Sequence, residues 1–158
     1  MNAAIIMTAV KAYMEQNGLK FFHDASRNVF ILQFSNRGKF NVIQEKLRIR
    51  DDGIVSLATC PVKADDENRV EVIKYINKLN WQFRSGNFEL DPADGEVQFR
   101  VFADLEGLDE SSPIQNIIEN VIFIPVQMIR DYGDNLFKVM LGQSTAENID
   151  EDDSNTDD

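Results

Sequence analysis

The chain carries one histidine, His23, and one cysteine, Cys60. A hydrolytic or group-transfer site needs a nucleophile with a base in reach, and neither residue has a partner at a spacing that supplies one. His23 closes a short apolar stretch ahead of the turn-rich Asp24-Ala25-Ser26-Arg27-Asn28 and reads as a solvated strand-end residue. Cys60 precedes Pro61 and reads as a small buried residue, because nothing beside it in sequence would stabilise a thiolate. With no second His and no paired Cys, the ligand set of a zinc site is missing. The acidic stretches Asp51-Asp52-Gly53 and Asp91-Pro92-Ala93-Asp94-Gly95 lack the spacing of a calcium loop and have the composition of turns. Asp131-Tyr132-Gly133-Asp134-Asn135 reads as helix surface or a local break, and a Gly-rich phosphate loop is absent. The expectation is therefore no catalytic residue, no metal ligand, no cofactor, and a protein that is not an enzyme.

Charge narrows the partners. The 158 residues carry a net charge of −11. From Ser144 onward there are seven acids and no base, which leaves 20 acids against 16 bases before it. Nucleic-acid phosphate and anionic membranes both call for clustered Lys and Arg, so neither is the expected partner. No apolar run reaches the roughly 20 residues of a membrane span. The single cysteine and the absence of a leader-like amino terminus point to a cytoplasmic protein.

The elements that would position any site follow from periodicity. Ile6, Ala9, Val10, Tyr13 and Met14 make one face of a first helix over residues 2–16, and Asn17-Gly18 supplies a left-handed exit. Residues 19–23, 29–34, 39–50 and 54–60 read as strands. Phe40 and Val42 are even while Leu47 and Ile49 are odd, so residues 39–50 as one strand require a bulge near residues 43–46. Val70, Ile73, Ile76 and Leu79, with Val72 and Tyr75 beside them, predict a second helix behind the acidic start Asp65-Asp66-Glu67. Trp81, Phe83, Phe88 and Leu90 then run to the Asp-Gly turn, and Val97, Phe99, Val101 and Ala103 alternate on the returning strand. Ser112-Pro113 opens a long last helix, with Pro125 expected to bend or split it. Gly142 ends it, and residues 143–158 are expected to be a disordered acidic tail after a single domain of residues 1–142. The order α-ββββ-α-ββ-α defines an antiparallel α+β fold.

Tyr75-Ile76-Asn77-Lys78-Leu79-Asn80-Trp81, Gly86-Asn87-Phe88-Glu89-Leu90-Asp91 and Asp94-Gly95-Glu96-Val97 resemble the YbjN domain family. That family carries the label of a bacterial sensory transduction regulator and is similar in fold to type III secretion chaperones. The resemblance is densest over this third of the chain, and its motif is structural. It implies a chaperone-like or regulatory domain that binds a protein segment.

Apolar excess on the strands carries the functional expectation. Val29, Phe30, Ile31 and Leu32 are consecutive, and Phe102 lies on the polar side of its strand, so apolar side chains must face both ways. We expect an interaction face that includes Phe30, Leu32 and Phe102, covered by a protein partner or by a second copy in a homodimer. The alternative is an enzyme or small-ligand binder with a pocket between the sheet and the last helix.

Overall fold

The computed structural model describes residues 2–109 and 111–149. Helix α1 (Ala3–Gln16) starts at Asn2, whose side chain accepts the Ile5 amide at 3.1 Å, and ends where Gly18 takes φ 65°. Four strands follow: β1 (Phe21–Asp24), β2 (Val29–Ser35), β3 (Val42–Ile49) and β4 (Gly53–Thr59). Helix α2 (Arg69–Asn80), β5 (Asn87–Leu90), β6 (Val97–Asp104) and α3 (Gln115–Met140) complete the order, which is the α+β order expected.

The strands form one six-stranded antiparallel sheet, β1-β2-β3-β4-β6-β5. The first four make a meander. The β5–β6 hairpin then enters in reverse, with β6 against β4 and β5 at the edge. Its turn needs Gly95 at φ 79°, because a Cβ there would lie 2.3 Å from the Ala64 carbonyl oxygen.

Antiparallel register sorts side chains onto two faces. Phe30, Leu47, Ser56 and Val101 line up across the sheet, as do Leu32, Glu45, Ala58, Phe99 and Phe88 on the next rung. All of these are buried, and they merge with the inward stripes of the three helices into one core. Phe83, Phe88, Phe99 and Tyr132 form an aromatic knot that ties the hairpin to α3, with Phe88 and Phe99 edge to face at 4.9 Å.

Several expectations need correction. β3 has no bulge: Ile43, Glu45, Leu47 and Ile49 face inward in unbroken alternation, and Phe40 precedes the strand, packed against Phe137. Val42, one of the two even-numbered residues behind the expected bulge, is exposed, and Glu45 takes a core position. On α2 the buried stripe is Val72, Tyr75, Ile76 and Leu79, rotated away from Val70 and Ile73, which are exposed. Residues 81–86 form a turn, and the strand begins at Asn87. α3 runs unbroken through Pro125, which is itself buried. Losing one backbone bond costs about 3 kcal/mol, and the buried stripe from Ile118 to Met140 on both sides of Pro125 offsets it.

The expected disordered tail begins too early. Residues 143–149 fold back beside α2, where the Ala146 amide donates to Glu71 and Ile149 is fully buried. Ile149, the one large apolar residue of the segment, docks it together with Ala146. The rest of that tail, residues 150–158, lies outside the described residues.

Candidate interaction face

The residues singled out for chemistry are dispersed. His23 faces the helices and stacks on Phe30 with ring centroids 4.4 Å apart, and its Nε2 is buried with no hydrogen-bond partner. It is not the solvated strand-end residue expected, because β1 pairs with β2 so that His23 lies opposite Phe30. Cys60 is buried, and desolvation, with the nearby charge of Glu96, pushes its thiol up to about 12. That is the reverse of an activated nucleophile.

The acidic stretches are occupied locally. Asp91 accepts the Ala93 amide at 2.8 Å, and Asp94 accepts the Glu96 amide at 3.0 Å and pairs with Lys63. Asp52 accepts from Arg50 Nε at 3.0 Å, and Asp134 accepts the Lys39 amide at 2.6 Å. Among the described residues no group of His, Cys, Asp or Glu is placed to hold a metal ion.

One buried polar pair was missed by sequence reasoning. The Ser56 hydroxyl donates to Glu45 Oε1 at 2.6 Å, both residues are fully buried, and Glu45 Oε2 has no partner. Desolvation holds this carboxyl well above its ordinary value of 4.5, against the smaller opposing pull of the Ser56 hydrogen bond.

Two of the three residues expected on an interaction face do not lie on an exposed one. Phe30 and Leu32 are 0% and 1% exposed and lie beneath the helices, so they belong to the core. The opposite face carries their neighbours Val29 and Ile31, together with Phe102. The error was one of phase: Phe30 and Phe102 sit on opposite sides of the sheet.

Register gives the composition of this second face. One rung reads Asp24, Val29, Arg48, Val55, Phe102; the next reads Phe22, Ile31, Lys46, Leu57, Arg100, Asn87. Beyond these lie Gln33, Gln44, Thr59, Gln98 and Glu89. Phe102 is 48% exposed and Phe22 65%. Phe102 Cε2 would lie only 3.1 Å from a Cβ at Gly53, so the missing side chain there leaves room for the ring. Lys46 and Arg48 stand in the middle, between apolar pairs on β2 and β4, and neither has an ion-pair partner among the described residues. A depression of about 150 Å³ between Asp24, Arg27, Val29, Ile31, Lys46, Arg48 and Leu57 indents the face.

A second exposed apolar stripe lies on α2, where Val70, Ile73 and Trp81 share its outer side and Trp81 is 91% exposed. Sequence periodicity had assigned the first two to the core.

The motif that carried the family resemblance is scaffolding. Asn80 donates to the Phe88 carbonyl at 3.0 Å and accepts the Phe88 amide at 2.8 Å, so its side chain stands in for a neighbouring strand at the edge of β5.

These features define an α+β protein whose antiparallel sheet is layered by helices on one face and, among the described residues, bare on the other. Among solved structures the fold is similar to that of YbjN from E. coli, described as a candidate transcription regulator, with a TM-score of 0.54 and 11% sequence identity over 80% of this chain and 92% of that one. No protein-family profile matches the chain, and no curated protein matches it. Among the described residues no helix is long and apolar enough to cross a membrane.

Proposed function

We propose that this chain is a non-enzymatic, cytoplasmic interaction module, chaperone-like or regulatory, that binds a protein segment across the bare face of its sheet. The observation that carries the reading is the asymmetry of the sheet: three helices share one side, while the other exposes Phe22 and Phe102 beside Ile31 and Leu57. Burying one such side chain is worth about 1.5–3 kcal/mol, so a partner that covers several gains usable affinity.

A homodimer through this face is the other expectation. An isologous contact places a surface against its own copy, which would bring the Lys46 and Arg48 ridges of the two subunits together. That repulsion favours a foreign segment. The enzyme or small-ligand alternative has little to work with. A cleft of about 410 Å³ between the end of β2 and α3 is lined by Ser35, Asn36, Arg37 and Arg130, with neither His23 nor Cys60 in it.

Phe102→Asp tests the reading. It should abolish capture of the partner from the native cell extract while leaving the thermal midpoint within a few degrees of wild type. Identical captured proteins for mutant and wild type would refute it.

A further inference from the structure

We propose that the segment taken by the bare face is an amphipathic helix with a seam of Asp or Glu at i and i+4, flanked on both sides by large aliphatic residues; this rests on the docking role proposed above. Charge complementarity names the acids. In a chain of net charge −11, Lys46 and Arg48 are two cations without ion-pair partners among the described residues, set in an apolar surround. An apolar partner would bury them uncompensated, whereas two carboxylates would pair them.

Spacing names the helix. Lys46 and Arg48 are two residues apart on β3, about 6.8 Å, and i to i+4 on a helix is about 6 Å. An extended segment also repeats at about 6.8 Å, but its alternate side chains point away, so the furrows beside the ridge would stay open. A helix laid along β3 presents residues on both flanks of its acidic seam. The open apolar surface it would cover is Ile31 on one side of the ridge and Leu57 on the other, Val29 and Val55 being already buried. β2 and β4 lie about 9.5 Å apart, close to the diameter of a helix, about 10 Å.

The test uses the full chain and two fluorescent synthetic helices, one with a Glu seam flanked by Leu and one with Gln in place of each Glu, followed by anisotropy. The Glu helix should bind wild type, weaken as salt is raised, and exceed the Gln helix by about tenfold. The double variant Lys46→Glu, Arg48→Glu should lose that preference while keeping its thermal midpoint; Lys46→Gln, Arg48→Gln serves if it does not fold. Equal binding of the two helices by wild type, lost in Phe102→Asp, would overturn the acidic seam and leave the docking face standing. Binding of neither helix would overturn the inference, and the capture experiment with Phe102→Asp then decides the docking face separately.

Discussion

The two faces of the sheet are built from the same strands at alternate positions, yet they obey different rules. On the covered face Phe30, Leu32, Leu47, Phe88 and Phe99 are fully packed, and the one polar pair, Glu45 and Ser56, is shut away from water. On the bare face Lys46, Arg48 and Arg100 alternate along their strands with the residues of that core, and of the aliphatics between them Ile31 and Leu57 are half-buried while Val29 and Val55 are buried. The covered face also holds His23 Nε2 and Glu45 Oε2 without a hydrogen-bond partner among the described residues, so its dryness comes at some polar cost. A face open to water can keep cations standing among apolar groups, because water solvates their charged ends.

The contrast can be broken experimentally. The largest effect belongs to the covered face: Phe99→Ala should cost about 3–5 kcal/mol in urea denaturation, whereas Phe102→Ala, three residues on, should cost under about 1 kcal/mol. Equal costs would mean that the bare face is not bare. Next comes the segment behind α3. Removing residues 143–158 takes away the buried Ile149 and should lower stability by about 2–3 kcal/mol by the same measurement.

A pH experiment sharpens the comparison further. Burial raises the Glu45 carboxyl well above its ordinary value in the folded state, and it returns to that value once unfolded, so its stabilisation is complete below about pH 4 and is lost as pH rises through its raised folded value. Glu45→Gln should remove that loss, so the mutant gains on wild type as pH rises above about 4, read by urea denaturation across a pH series. The smallest effect concerns Cys60. With its thiol pushed up to about 12 and buried, it should resist alkylation in the native protein and react only on unfolding, and Cys60→Ala should cost about 1 kcal/mol.

Sequence periodicity was reliable wherever one residue class owned one face. The alternation of Val97, Phe99 and Val101 and the helical stripe of Ile6, Val10 and Met14 sit where their spacing puts them. It failed where a single residue broke class. The exposed Val42 and Phe40, which precedes β3, suggested a bulge, and Val70 and Ile73 exposed on α2 suggested the wrong stripe. Ile149, a single large apolar residue among acids, is too little for composition to predict order, yet it is fully buried. The candidate face was legible in kind but not in phase: four consecutive apolar residues on β2 announce two apolar faces without saying which one the helices cover. That choice is made by long-range register with β3 and by the docking of α3, neither of which periodicity within one segment contains.

The strand order has one more consequence. Both outermost strands, β1 and β5, are four residues long, and the Asn80 amide already occupies the rim of β5 at Phe88. Little main chain is therefore left along either border to recruit another molecule ribbon to ribbon. When this protein is crowded, its stickiness should be that of a flat, charged plate: reversible, quenched by salt, and slow to turn into fibres.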